Sequence, residues 1–152
     1  MASIKSKTTS KLIGEIQVPG DKSISHRALI FGACALGTTT ISNLLESEDV
    51  FSTLKALQKM GVKITKSQCD WKILGNGLGS FLGNNQTLDL GNSGTGARLL
   101  MGLVAGSDLK VTFKGDNSLS KRPMKRIIEP LLKTGAQISS STDRLPLTIQ
   151  GS

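Results

Sequence analysis

Two kinds of apolar run alternate along this chain. Ile24 to Leu36 is apolar nearly all round, with Ala28, Leu29, Ile30, Phe31, Ala33, Cys34 and Ala35. Thr95 to Ala105 is a second run of the same kind, with Leu99, Leu100, Met101, Leu103 and Val104. Helices of that make-up are expected to be buried on most sides. Two other runs are one-sided. Val50, Leu54 and Leu57 recur at helical spacing after Ser47, a cap candidate with Glu48 and Asp49 in the first turn. Ile127, Ile128, Leu131 and Leu132 give Met124 to Lys133 a side to bury, and Pro130 within it is expected to bend the helix. Gly37 and Gly61 are the expected ends of the first two helices. Between the helices lie short strand-like stretches. These are Thr38 to Ser42, Val62 to Thr65, Trp71 to Leu74, Thr87 to Leu90, Leu109 to Phe113, Gln137 to Ser140 and Leu147 to Ile149. Leu12 to Val18 alternates imperfectly and reads as a further strand, ended by Pro19-Gly20.

The order β-α-β-α-β-β thus occurs twice, over residues 12–75 and 86–151, and predicts an α/β protein of two repeated units. The residues repeat as well as the elements. Gly20 and Arg27 stand seven apart, as do Gly91 and Arg98. Lys59-Met-Gly-Val-Lys-Ile64 is echoed by Lys133-Thr-Gly-Ala-Gln-Ile138, and Ile73-Leu-Gly75 by Ile149-Gln-Gly151. A period of about seventy residues is longer than a solenoid repeat. Residues 75–85 are rich in Gly and Asn and read as the connection between units. Gly75-Asn-Gly-Leu-Gly79 has no helix pattern directly behind it, so it is a loop and not a nucleotide fingerprint.

Each unit carries a strand-to-helix turn built for an anion. In Pro19-Gly-Asp-Lys-Ser-Ile-Ser-His-Arg27, Asp21, Ser23 and Ser25 can accept from free N–H groups, and Lys22 and Arg27 add charge at the positive end of a helix. An ordinary cap with two solvated bases has the same appearance, and the second copy tips the balance. In Gly91-Asn-Ser-Gly-Thr-Gly-Ala-Arg98 the glycines let backbone N–H groups approach a ligand. It lacks the Gly-Lys-Ser/Thr ending of a Walker loop. A third feature is Gly115-Asp-Asn-Ser-Leu-Ser-Lys-Arg-Pro-Met124. Here Pro123 is placed near the first helical position and Arg122 at the cap; a plain basic loop is an equal alternative. His26 gets no role from its neighbours, and nothing in the spacing pairs Asp49 or Asp116.

Charge narrows the partners. Nineteen Lys+Arg against eleven Asp+Glu give a formal net charge of +8 over 152 residues. That favours phosphorylated metabolites, nucleic acid or an anionic membrane. Nucleic acid is disfavoured because Tyr is absent and there is one Trp, whereas bases stack on aromatics. No apolar run reaches membrane-spanning length. Cys34 and Cys69 stand alone, as reduced thiols in a cytoplasmic protein do. One His and no cysteine cluster leave no expected metal site.

These motifs together resemble the 5-enolpyruvylshikimate-3-phosphate synthase family: Pro19-Gly-Asp-Lys-Ser-Ile-Ser-His-Arg-Ala28; Gly91-Asn-Ser-Gly-Thr95 with Arg98; and Gly115-Asp116, Ser118-Leu119 and Arg122-Pro-Met124. The likeness runs from about Leu12 to Gly151 in the family's order. The sister family that acts on a UDP-sugar has Lys-Asn where this chain has Lys22-Ser23. It also has a reactive cysteine near the third motif, where this chain has none.

The resemblance implies two domains of three βαβαββ units each, with helices inside and sheets outside. This chain holds two units and is expected to be an N-terminal fragment of an enzyme nearly three times as long. The strand at Leu12 to Val18 would pack with the missing domain. The implied reaction is enolpyruvyl transfer from phosphoenolpyruvate to shikimate 3-phosphate, on the route to aromatic amino acids, by a cytoplasmic monomer without cofactor, nucleic acid or membrane. By motif, Lys22, Ser23 and Arg27 would bind shikimate 3-phosphate, and Lys22, Gly94 and Arg122 would bind phosphoenolpyruvate. Lys22 would also be catalytic. Asn92 and Thr95 would shape the pocket in which glyphosate competes. Leu99 replaces a Pro common in the family, which leaves glyphosate sensitivity open. The fragment is expected to lack turnover; a non-catalytic module that holds a phosphometabolite is the alternative.

Overall fold

A computed structural model describes residues 3–152. Its order is α1 (Lys22–Cys34), β1 (Leu36–Ser42), α2 (Glu48–Lys59), β2 (Lys63–Ser67), β3 (Asp70–Asn76), a short 3-10 turn, and β4 (Gln86–Asp89). The chain continues with α3 (Gly94–Ala105), β5 (Lys110–Lys114), α4 (Asn117–Ser120), α5 (Lys125–Lys133), β6 (Gln137–Ser139) and β7 (Leu147–Gln150).

Two sheets flank the helices. One has the order β1-β3-β2 and is antiparallel throughout; the other has the order β4-β5-β7-β6, with β4 parallel to β5. The repeated residues occupy matching places. Ile64 pairs with Ile73 in the first sheet, and Ile138 with Ile149 in the second. Gly75 lies against the carbonyls of Gly32 and Ala35 at the end of α1. Gly151 lies against those of Val104 and Ser107 at the end of α3. A side chain at either glycine would collide with a helix end.

The core runs through both halves. Leu29 and Ala33 of α1, Val50, Leu54 and Leu57 of α2, Ile73, Leu88, Leu100, Met101, Val104, Phe113, Leu147 and Ile149 form one buried cluster. The spacing of Val50, Leu54 and Leu57 therefore found the inner face of α2. Ser47 caps that helix through Val50 N–H, as expected.

Several sequence expectations are corrected. Leu12 to Val18 forms no strand: Leu12 is 88 % and Ile16 84 % exposed, and β1, the edge beside which a further strand would lie, has a partner only in β3. The segment's backbone is not paired with that free edge. The two apolar helices are not buried all round. Ile24 and Phe31 of α1 and Leu99 of α3 are exposed, because the side of this pair away from the sheets carries no further helix among the described residues. Gly37 does not cap α1. Ala35 does, bonding Phe31 O, and Gly37 falls inside β1. On α5 Ile128 is buried and Ile127 and Leu131 pack against the core as expected, but Leu132 is exposed. The helix continues through Pro130.

Candidate functional site: two helix-capping turns

The first turn is built by Asp21. Its Oδ1 accepts from Ile24 N–H at 2.7 Å and caps α1. This fixes Lys22 and Ser23 as the first two residues of the helix, both exposed, with Arg27 exposed just over one turn on. Ser25 does not face solvent. It is buried, and its Oγ accepts from Leu45 N–H at 3.0 Å, tying α1 to the loop before α2. Gly20 lies so close to Asn43 O that any side chain there would collide with it. Lys22 Nζ is ion-paired with Asp49 in the first turn of α2.

The second turn is built by Gly91 and Ser93. Gly91 has φ +51°, a left-handed conformation that suits glycine. Its N–H is held by Asp89 Oδ1 at 3.0 Å, which draws the Asp89 carboxyl below its usual pKa, helped by Lys114. Ser93 caps α3 through Gly96 N–H. Gly94 is then the first residue of α3 and Thr95 the second; Gly94 is buried and Thr95 exposed.

The third motif folds onto the second. Asp116 N–H bonds Gly91 O at 2.8 Å, and Asp116 Oδ1 caps α4 through Leu119 N–H at 2.7 Å. Its Oδ2 accepts from Asn92 Nδ2 at 2.7 Å, and Asn92 Oδ1 accepts from Arg122 at 2.6 Å. The Leu119 N–H, then Asn92, hold the Asp116 carboxyl below its ordinary pKa. A side chain on Gly94 would stand 3.0 Å from an Arg98 guanidinium nitrogen and 3.1 Å from one of Arg122. Gly94 is therefore a buried stretch of bare backbone directly against two cations, with no room for a side chain unless the arginines shift. Arg98 also bonds Gly94 O at 3.1 Å.

Arg122 is not the cap of a helix, contrary to the expectation from Pro123. Met124 takes the cap position of α5, because its N–H is held by Asp143 O; Arg122 lies just after α4, whose formation the sequence pattern did not reveal. The structure brings Asn92, Gly94 and Arg122 together directly, and Lys22, Ser23 and Arg27 along the first two turns of α1. Asp49, Asp116 and Arg98 were given no role from the sequence. Asp116 carries a visible signal, standing three residues before Leu119 in N-cap spacing; Asp49 carries none without the packing of α1 on α2. No group of metal-ligating side chains occurs among the described residues.

An α/β protein with two basic helix-start turns, one overhung by arginines, is the class this architecture defines. A profile of "EPSP synthase (3-phosphoshikimate 1-carboxyvinyltransferase)" matches residues 6–152. This chain belongs to the EPSP synthase family. It is 50 % identical over 151 residues to the 3-phosphoshikimate 1-carboxyvinyltransferase of Rhodopseudomonas palustris strain BisA53, covering 97 % of this chain and 34 % of that protein. The protein of the same name from Bradyrhizobium diazoefficiens is also 50 % identical over 151 residues. The structure of EPSP synthase from Acinetobacter baumannii superposes with a TM-score of 0.85 at 43 % identity, over 91 % of this chain and 32 % of that one. The chain thus spans about a third of the length of the curated relatives it matches.

Proposed function

We propose that this chain supplies part of the substrate site of a 3-phosphoshikimate 1-carboxyvinyltransferase. The enolpyruvyl group of phosphoenolpyruvate would pass to the 5-hydroxyl of shikimate 3-phosphate. The hydroxyl gives up its proton as its oxygen adds to C2 of phosphoenolpyruvate, and C3 takes up a proton. The tetrahedral intermediate then loses phosphate, and C3 returns a proton. Both substrates are polyanions, so fixed cations and helix N–H groups can stabilise charge as it moves to the departing phosphate.

The observation that carries this is the packing of two arginines on the bare backbone of Gly94. A backbone free of side chain lies beneath Arg98 and Arg122, and Asn92 fixes the Arg122 guanidinium at 2.6 Å. An arginine held in that way presents a planar fork to a carboxylate or phosphate. In this assignment Gly94, Arg122 and Lys22 take phosphoenolpyruvate, with Asn92 and Thr95 shaping the pocket, which glyphosate would share. Lys22, Ser23 and Arg27 take shikimate 3-phosphate. Lys22 is shared and catalytic, and no cofactor takes part. The enzyme is assigned to the cytoplasm as a monomer; no helix among the described residues is long and apolar enough to cross a membrane. Residues 12–75 and 86–151 are taken as two of the family's repeated units. A third unit from the remaining length would cover the apolar groove of about 410 Å³ between α1 and α3, lined by Ile30, Phe31, Leu99 and Leu103.

Calorimetric titration with shikimate 3-phosphate, against shikimate and inorganic phosphate as controls, tests the assignment. Selective saturable binding, lost in Lys22→Ala and Arg27→Ala, is expected. Binding by a folded chain no better than that of phosphate would reduce it to a general anion site. Because the missing two-thirds would hold further groups of the reaction, no turnover is expected from this chain alone. Phosphate release dependent on both substrates would overturn that.

A further inference from the structure

His26 is the one histidine of the sequence. It is fully buried, and its Nδ1 lies 2.8 Å from Thr53 Oγ1 of α2. The third side is closed by α3. A side chain at Gly96 would collide with Thr53 Oγ1, stand 2.7 Å from Ser93 Oγ, and stand 3.5 Å from His26 Cε1. Nε2 is buried without a hydrogen-bond partner among the described residues. A protonated ring would carry a second N–H and a charge into that position, which costs far more than one unpaired neutral nitrogen. The position therefore favours the neutral ring over the charged one. The charged groups that act on it are Asp49 of α2, which favours the proton, and Lys22 of its own helix, which opposes it. From α3 it meets Gly96, which is uncharged.

The position of this cluster matters more than its polarity. His26 is one helical turn after Lys22 and directly before Arg27. Thr53 is one turn after Asp49. Lys22–Asp49 and His26–Thr53 are thus two successive rungs between α1 and α2, one at the surface and one in the core. The inner rung is also what the first turn of α3 rests on, through Gly96, two residues from Gly94.

Building on the assignment of the two turns to substrates, we infer that His26 is a positioning residue. Its ring, held by Thr53 and packed on Gly96, registers the Lys22–Arg27 turn against the Asn92–Arg98 turn. An imidazole suits the task because it is flat, has few torsions and can bond Thr53 without carrying charge. An aliphatic side chain would fill the space but leave the Thr53 hydroxyl unpaired.

The test combines backbone amide spectra of the free chain with titration by shikimate 3-phosphate, for His26→Leu, His26→Asn and Thr53→Val. His26→Leu and Thr53→Val are expected to shift the amides of Gly94, Thr95 and Gly96 while leaving those of β5 and β7 in place. They are expected to weaken shikimate 3-phosphate binding on the order of tenfold, as loss of one buried hydrogen bond allows. His26→Asn, which retains a polar partner for Thr53, should restore most of both. A Thr53→Val chain with unmoved turn amides and full affinity overturns the inference while the substrate assignment stands. Failure of the wild-type chain to bind selectively removes the substrate assignment, and the amide shifts still decide whether His26 registers the turns. If His26→Leu does not fold, the Thr53→Val arm decides alone.

Discussion

Lys22 and Asp49 form an ion pair across the first turns of α1 and α2. The lysine side chain is half exposed and the aspartate about a quarter exposed. A pair so placed contributes at most about 1 kcal/mol to stability. Its larger effect is to hold the ammonium in one place and cancel its charge. Asp49→Asn is expected to leave the melting temperature nearly unchanged and to strengthen binding of inorganic phosphate at low salt, while the preference for shikimate 3-phosphate over phosphate falls. Calorimetric titrations at low and high salt check this; unaltered phosphate affinity would count against a charge-cancelling role.

Gly94 and Gly96 are two residues apart and should respond in opposite ways to alanine. At Gly94 a methyl group meets the tips of Arg98 and Arg122, at 3.0 and 3.1 Å, and those tips can swing away. At Gly96 it meets the buried hydroxyl of Thr53, on a different helix, which cannot. Gly94→Ala should therefore keep its fold and lose affinity for phosphoenolpyruvate. Gly96→Ala should lose about 1–3 kcal/mol of stability, the usual cost of overpacking. Thermal unfolding with ligand titration of both variants separates the two effects, and equal melting temperatures would refute the packing account.

Burial lowers the pKa of His26 below 6.5, and the positive charge of Lys22 adds to the shift while Asp49 opposes it. In the unfolded chain the ring takes a proton near pH 6.5; in the folded chain it takes one only at lower pH. Between those two values the unfolded state binds more protons, so stability should fall as the pH drops through that window. Above pH 6.5 this contribution should be flat. Denaturant unfolding across that range, repeated with His26→Asn, checks the sign. An identical acid slope in the variant would assign it to the carboxylates instead.

Asp116 titrates in the opposite direction. Its folded pKa is depressed below 3.8, first by Leu119 N–H and then by Asn92. Its contribution is therefore present above pH 3.8 and lost as the pH falls through the lower folded value. Asp116→Ala removes the cap of α4 and the acceptor for Asn92 together. Arg122, left with an unanchored Asn92, should bind phosphoenolpyruvate more weakly, with little change at the shikimate 3-phosphate half. A matched loss at both ligands would point to global damage.

Local chemistry was legible where it was local. Ser47 before Glu48-Asp49 announced α2, and the spacing of Gly20 with Arg27 and Gly91 with Arg98 announced both turns. The repeat at Ile64 and Ile138 marked strands that pair alike with β3 and β7. What escaped depends on contacts far apart in the chain. Asp49 meets Lys22, and Thr53 meets His26, only once α1 packs on α2. Arg122 was misplaced because Pro123 suggested a helix start, whereas Asp143 O captures Met124 N–H and delays it. Phe31 and Leu99 read as core by composition, yet the groove they line stays open among the described residues.

Residues 3–18 offer the last prediction. Leu12, Ile13, Ile16 and Val18 are all exposed, so the segment removes little apolar area from water and contributes little to stability. In the second sheet β5 holds β4 beside it in parallel, while β1 has no strand on the corresponding edge. Deleting residues 1–17 should therefore leave the melting temperature of the remaining chain unchanged and its amide spectrum superimposable from Lys22 onward. A clear drop in melting temperature would mean that the segment packs on the β1 edge in solution, and the strand read from the sequence at Leu12 to Val18 would then be restored.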